Sequence, residues 1–179
     1  MGLDSVELIM SVENHFNVIF SEKDIIKTRT IGDLTDLVCQ YRYIKDSSAP
    51  EFDTVYNQLK DLWNSNLKLD ELVSTYLPIN QRIDFQHEFQ YLIPKHSSEG
   101  SNALKKWLNF YLIEWEKLTI EQFINTVIIY NENSFFKEEI PTTNYGIYVV
   151  TARIIYDRIG CPYYDLQPTS HIVNDLRID

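Results

Sequence analysis

Histidine and cysteine, the side chains most often used for catalysis and metal binding, are few and scattered in this chain. The four histidines are His15, His87, His96 and His171, and the two cysteines are Cys39 and Cys161. None of them stands at a spacing typical of a metal site or a nucleophile–base pair. His87-Glu88 lacks the second histidine of a zinc-protease helix, and the 5 glycines form no phosphate-binding loop. We therefore expect a non-catalytic protein without a metal site.

Ser5 is the candidate reactive residue, because it follows Asp4 where an amphipathic helix is predicted to begin. Within residues 4–16 the apolar side chains recur at helical spacing. The predicted buried stripe of this helix is Val6, Ile9, Met10, Val12 and Phe16. The opposite side carries Glu7, Glu13 and Asn14. Asp4 or Ser5 can instead cap the helix, since a side-chain oxygen there accepts hydrogen bonds from unpaired backbone N–H groups.

Two further helices are predicted before a linker. Ser21-Glu22-Lys23-Asp24 is a capping residue followed by an acidic first turn, which indicates a short helix. Another helix begins near Thr30, and its predicted buried stripe is Ile31, Leu34, Leu37, Val38 and Tyr41. Residues 45–50 have the composition of a linker.

Residues 51–139 are also predicted to be helical, apart from a polar loop from Pro94 to Asn102, and Pro141 ends this middle region. The middle region has two apolar stripes, which are Val55, Leu59 and Leu62, and then Leu104, Trp107, Leu108, Tyr111 and Trp115. A last helix runs from Asn144 to Ile159 and ends at Gly160. Its inward residues are Ile147, Val150, Ile154 and Ile155. The segment after it is a loop that should pack on the protein, because it contains the apolar residues Leu166, Ile172, Val173 and Leu176.

The middle region contains an echo of the N-terminal region. Residues 119–127 parallel residues 30–38, and residues 89–94 parallel residues 16–21. The matched pieces stand in the same order in both regions, which predicts a degenerate second copy with an insertion. Chance similarity between short amphipathic helices is the alternative.

Composition and charge limit the class of partner. The formal net charge is −10, which argues against nucleic acid and suits partners with basic surfaces. No apolar run approaches the roughly 20 residues of a membrane span. The two distant cysteines favour a reduced, cytoplasmic setting over a disulfide framework.

The two ends of the chain match adjoining parts of one known pattern. Residues 2–10, Gly-Leu-Asp-Ser-Val-Glu-Leu-Ile-Met, and residues 173–179, Val-Asn-Asp-Leu-Arg-Ile-Asp, together resemble the attachment site of an acyl carrier protein. In that family a four-helix bundle carries 4′-phosphopantetheine on a serine at the start of its second helix, in a pattern close to D-S-L-D-T-V-E-L. Residues 3–31 resemble the second helix to the start of the fourth, and residues 150–179 resemble the first helix and its loop. The resemblance implies a circularly permuted carrier module.

The resemblance leaves two positions open for the attachment serine. Asp4-Ser5-Val6 looks like the family's Asp-Ser-Leu signature, which would make Ser5 the attachment site. The ungapped match from Val6 to Phe16 instead puts Gly2 at that position and Asp179 just before it. A shift by three residues would turn the helix by about 300°, because each residue turns it by about 100°. Packing therefore favours Gly2, which has no hydroxyl to modify.

From this resemblance we expect an all-α protein with two regions. Residues 1–48 and 141–179 would form the carrier-like bundle, and residues 51–140 a helical domain that is the possible second copy. In particular, residues 141–179 should dock on residues 1–45, within one chain or by exchange in a domain-swapped dimer.

The function implied is that of a carrier-like module in fatty-acid, lipid or other acyl-thioester metabolism. Its partners would be a phosphopantetheinyl transferase and acyl-transfer or condensing enzymes with basic surfaces. The residues facing them would be Asp4, Glu7, Glu13 and Asp179. The alternatives are a carrier-like scaffold without the prosthetic group, and a piece of a longer tandem array.

Overall fold

The protein, as a computed structural model, is described for residues 3–76, 117–136, 140–174 and 176, the side chains of Leu3 and Asp4 excepted. Seven α-helices form the regular structure of these segments: α1 (Leu3–Phe16), α2 (Glu22–Ile25), α3 (Ile31–Arg42), α4 (Pro50–Trp63), α5 (Ile120–Tyr130), α6 (Glu132–Phe135) and α7 (Asn144–Ile159). Short 3₁₀ turns occupy Val73–Thr75 and Tyr163–Asp165. These segments contain no strand, so the predicted all-α class is confirmed for them.

Hydroxyl side chains cap α2 and α7, whose starts were predicted from the sequence. Ser21 Oγ accepts a hydrogen bond from Asp24 N at the start of α2 (3.3 Å). At the start of α7, Thr143 Oγ1 accepts from Gly146 N (3.0 Å). Each bond satisfies a backbone N–H group that the first helical turn leaves without a partner.

α3 and α5 begin with a complete capping box. Thr30 Oγ1 accepts from Asp33 N (3.0 Å), and the Asp33 carboxylate accepts from Thr30 N (2.9 Å). In α5, Thr119 Oγ1 accepts from Gln122 N (3.2 Å), and Gln122 Oε1 accepts from Thr119 N (3.0 Å). The reciprocal bonds satisfy two backbone donors at once and fix where each helix begins.

α7 joins the two ends of the chain, since it packs against both α1 and α3. Phe16, Leu34, Val38 and Ile155 are fully buried in the resulting core. In the described residues α7 therefore docks on α1 and α3, and the choice between docking within one chain and exchange in a dimer stays a prediction. Gly160 ends α7 with a left-handed φ of 72°, as predicted, a conformation that glycine adopts without steric cost.

The loop after α7 makes backbone hydrogen bonds to the start of α3. The pairs are Ile31 N to Ser170 O (3.1 Å), Gly32 N to Pro168 O (2.8 Å) and Ile172 N to Arg29 O (2.8 Å). We call this contact, between residues 168–172 and residues 29–32, the first junction. Leu166, Ile172 and Leu176 are buried, which confirms that this loop packs on the protein.

In the described part of the middle region α5 packs against α4 and α6, and it also contacts α7 and the Tyr163–Asp165 turn. Every residue of α5 from Phe123 to Ile129 is buried. The loop after α4 bonds to the start of α5 through Ile120 N to Glu71 O (2.9 Å), Glu121 N to Leu69 O (3.0 Å) and Val73 N to Leu118 O (2.9 Å). We call this contact, between residues 69–73 and residues 118–121, the second junction.

Several residues predicted to be buried are instead exposed. Val6 and Met10 are 41% and 53% exposed, because the stripe of α1 centres on Ser5, Val12 and Phe16, and both residues lie about 100–140° away from Ser5. Leu62, near the end of α4, and Val173, in the C-terminal loop, are 39% and 47% exposed. Apolar spacing gives the direction of a stripe, whereas its width depends on the partner helices.

Three further sequence predictions remain: one is wrong, and two lie outside the described residues. Asp4 and Ser5 are not caps, because α1 already begins at Leu3. The echo at residues 89–94 and the stripe at residues 104–115 fall outside the described segments.

Candidate functional site

Ser5, the predicted attachment residue, lies on the buried face of α1. Its side chain belongs to the stripe of residues at positions 5, 8, 9, 12 and 16, and the residue is 4% exposed. Transfer of a phosphopantetheine arm requires that the serine hydroxyl reach the active site of another enzyme. In this conformation Ser5 would have to leave the core before it could be modified.

The opposite face of α1 is exposed and combines apolar and acidic groups. Val6, Glu7 and Met10 are exposed within one helical turn, and Asn14 continues the same face. Val6 and Met10 are large apolar side chains that remain 41% and 53% exposed. We call Val6, Glu7 and Met10 the outer face of α1; it can offer one carboxylate and two apolar contacts to a partner.

Glu13, predicted to face a partner, has a structural partner within the chain. Its Oε1 atom accepts a hydrogen bond from Phe20 N (2.7 Å), and its backbone O accepts one from Val18 N (3.0 Å). Between these residues Asn17 adopts a left-handed φ of 50°. Glu13 therefore holds the turn that leads from α1 to α2, a role that the sequence pattern did not reveal.

The other predicted site residues, Asp4, Gly2 and Asp179, have side chains or whole residues outside the described part of the chain. The backbone of Asp4 lies in the first turn of α1, and its side chain is outside the described part. Gly2 and Asp179, which the ungapped match places at the attachment position and just before it, also lie outside the described residues.

A hydrogen-bonded network missed by the sequence reasoning fixes α2 against α3. Tyr41 Oη donates to Asp24 Oδ2 (3.0 Å) and accepts from Ser21 N (3.0 Å). Hydrogen bonds from Ser21 and then Tyr41 lower the pKa of the Asp24 carboxyl below its usual value. Phe20 packs edge-on against the Tyr41 ring (centroids 5.2 Å apart). The position of Tyr41 at the edge of the predicted stripe could have indicated this network, because the hydroxyl of a partly buried tyrosine usually has a hydrogen-bond partner.

The two thiols are poor nucleophiles at neutral pH. Burial raises the pKa of Cys39 to about 11, with a smaller contribution from Asp36. Burial likewise raises the pKa of Cys161 to about 12. Since the thiolate is the reactive form, neither position has the environment of a catalytic cysteine.

The described segments contain neither a candidate metal site nor a candidate membrane span. There, no group of three or more histidine, cysteine, aspartate or glutamate side chains is arranged to hold a metal ion. Among the helices of these segments, none has the length and apolarity needed to cross a bilayer.

No protein-family model, curated protein or solved structure matches this chain. The outer face of α1 and the junctions around α3 and α5 are therefore the features on which a functional proposal must rest.

Proposed function

We propose that this chain is an acyl-carrier-like module of fatty-acid, lipid or other acyl-thioester metabolism. The observation that carries the proposal is the assembly of the two chain ends. α7 and its loop pack on α1 and α3, which is the contact that a carrier bundle in permuted order requires. The sequence resemblance supplies the family, and the packing supports it.

Within this proposal, the chain works by contact rather than through an arm on Ser5. Ser5 is buried, whereas the outer face of α1 is open to a partner. With a net charge of −10, the protein suits the basic surfaces of acyl-transfer or condensing enzymes. The function is then that of a carrier-like scaffold without the prosthetic group.

The second candidate function is a true carrier that bears 4′-phosphopantetheine on Ser5. The sequence Asp4-Ser5-Val6 supports it, because it resembles the attachment signature. Modification would need the first turn of α1 to open so that the hydroxyl becomes accessible. A phosphopantetheinyl transferase would then be a required partner.

Intact mass after incubation with coenzyme A and a broad-specificity phosphopantetheinyl transferase separates the two candidates. We expect no gain in mass, beside a carrier protein that is modified in the same reaction. A gain of one phosphopantetheine that disappears in Ser5→Ala would establish the arm and overturn the scaffold.

Binding to a carrier-dependent condensing enzyme with a basic docking surface tests the module itself. Glu7→Lys should weaken binding at least several-fold, because it reverses the charge of the outer face. Asp61→Lys, an equal charge change at an exposed site of α4, is the matched control and should have little effect. No binding by the parent protein, or equal losses in the two variants, would contradict the proposed docking surface.

A further inference from the structure

The first and second junctions have the same pattern of backbone hydrogen bonds. In each, two successive N–H groups at the start of a helix donate to two alternate carbonyls of a loop. The N–H group of the loop residue two positions further on, Ile172 or Val73, donates in the other direction. Its acceptor is the backbone carbonyl of the residue two positions before the helix, Arg29 or Leu118. An isolated antiparallel bridge accompanies each pattern, Thr30 with His171 in the first junction and Thr119 with Leu72 in the second.

The helices that receive these loops are matched residue by residue. α3 and α5 both follow a threonine cap, and each begins with a fully buried isoleucine. The sequence echo aligns residues 30–38 with residues 119–127, and the junctions preserve the same register. Buried positions coincide in the pairs Ile31 and Ile120, Leu34 and Phe123, Thr35 and Ile124, and Val38 and Val127.

The segments that deliver the loops are matched as well. α7 and α4 each end in a left-handed residue, Gly160 and Asn64. Each loop then buries one leucine, Leu166 and Leu67. A helix tyrosine donates to the carbonyl of that leucine in both cases, Tyr148 to Leu166 (2.7 Å) and Tyr56 to Leu67 (2.9 Å). When the ends of α7 and α4 are aligned, Tyr148 lies about one helical turn further from the helix end than Tyr56. The two tyrosine–leucine hydrogen bonds are therefore similar but not identical.

Chance does not readily produce this agreement. A threonine capping box is common, and two of them alone would mean little. The junctions add three long-range hydrogen bonds each in the same order, and in each case the delivering helix packs on the receiving helix, α7 on α3 and α4 on α5. Long-range contacts are not fixed by local propensity, so their repetition points to a repeated fold unit.

We propose that the chain contains two units of one class, and that a second carrier-like unit built on α4, its loop and α5 is inserted between α3 and α7 of the first. The duplication rests on the junction geometry and on the matched residues of the two pairs of helices, and only the term carrier-like rests on the proposed function. Such a chain presents two modules of one class on one polypeptide, an arrangement that raises avidity by linkage.

Exchange of the junction loops in the full-length chain tests the duplication. Residues 69–73 are replaced by the sequence of residues 168–172, Pro-Thr-Ser-His-Ile, together with Glu121→Gly to match Gly32. The matched control carries the same five residues in reverse order, Ile-His-Ser-Thr-Pro, with the same Glu121→Gly change. Amide hydrogen exchange at positions 120 and 121 and the thermal midpoint are measured in both chains. Exchange at position 73 is measured in the exchanged chain alone, because the reversed control has proline there and proline has no amide hydrogen.

If the two junctions are equivalent, the exchanged chain keeps protection at all three amides. Its midpoint should stay within about 5 °C of the parent, whereas the reversed control should lose protection and melt lower. The reciprocal exchange, which puts the sequence of residues 69–73 at positions 168–172, should protect the amides of positions 31, 32 and 172. If neither exchanged chain is better protected than its reversed control, the junctions are not equivalent and the duplication is wrong. Neither readout involves a partner or an arm, so this result is separate from the fate of the proposed function.

Discussion

α3 and α5 begin in the same way and end in different surroundings. Both start at a capping box, and both receive a loop through the same backbone bonds. Yet α3 keeps Asp33, Asp36 and Gln40 exposed, whereas α5 is buried throughout from Phe123 to Ile129. The comparison shows that local sequence sets where a helix begins, while the neighbouring helices set how much of it is buried.

The junctions also differ in how their loops reach them. The loop of the second junction lies between α4 and α5 in the sequence, so the helix before the loop and the helix that it contacts are consecutive described helices. The loop of the first junction comes from the opposite end of the chain to α3. Loss of the C-terminal segment should therefore remove the first junction outright and affect the second only through α7.

Deletion of residues 141–179 is the largest perturbation of this comparison. It removes α7 and uncovers Phe16, Leu34 and Val38, which are all fully buried. Exposing each of these side chains costs roughly 1.5–3 kcal/mol, so together they cost about as much as the roughly 5–15 kcal/mol by which a domain is stable. We expect loss of a cooperative thermal transition by circular dichroism, with an unfolded or molten product.

A pair of substitutions in α7 gives the same test without shortening the chain. Ile155→Asp places a charge in the core and should abolish cooperative folding, because Ile155 is fully buried. Arg158→Asp, at an exposed site of the same helix, should leave the transition nearly unchanged. A cooperatively folded 1–140 fragment would contradict the role of α7 in closing the core against α1 and α3.

Gly32→Ala measures how closely the loop approaches α3, in contrast to α5. A Cβ atom at Gly32 would lie 2.9 Å from the backbone oxygen of Pro168, so the loop must shift. Overpacking of this kind costs about 1–3 kcal/mol, partly offset by the higher helix propensity of alanine. We expect a net loss of about 1–2 kcal/mol in the free energy of unfolding, measured by urea denaturation.

Glu121→Ala is the matched substitution in the second junction. Glu121 already carries a Cβ atom at the position equivalent to Gly32, and its side chain is exposed. Its removal should change the free energy of unfolding by less than about 0.5 kcal/mol. Equal losses in Gly32→Ala and Glu121→Ala would show that the close approach of Pro168 has no energetic consequence.

α7 and the loop that follows it show how far the sequence could predict the fold. The bounds of α7 were predicted correctly because the signals are local: an apolar period and a terminal glycine at Gly160. The burial of Leu166, Ile172 and Leu176 was also predicted, but their hydrogen-bonded partners were not. Backbone bonds between distant segments leave no side-chain signature, so the echo of residues 30–38 in residues 119–127 was the only signal of the second junction.

The candidate site was less predictable than the fold. Glu7 is exposed as expected, whereas the Glu13 carboxylate accepts a hydrogen bond from Phe20 N within the chain. Val6 and Met10 were predicted to be buried and are exposed. A helical period identifies residues that share a face. It does not say which borderline residues the partner helices will cover, and this is what decides the composition of the outer face.

Acid should weaken the start of α3 while leaving the start of α5 unaffected, which is the smallest difference we expect between them. Hydrogen bonds from Arg29 N and then Thr30 N lower the pKa of Asp33 below its usual value. A carboxylate with a lowered folded-state pKa stabilises the fold above its unfolded pKa, near 4, and loses that contribution as the pH falls through the folded value. Gln122, in the same position of α5, does not titrate.

Asp33→Asn should therefore lose less stability than the parent between about pH 5 and pH 3 in urea denaturation. Asp36→Asn, at an exposed site of the same helix, is the control. If Asp36→Asn flattens the acid dependence as much as Asp33→Asn, the capping carboxylate is not its source, and the two capping boxes behave alike in acid.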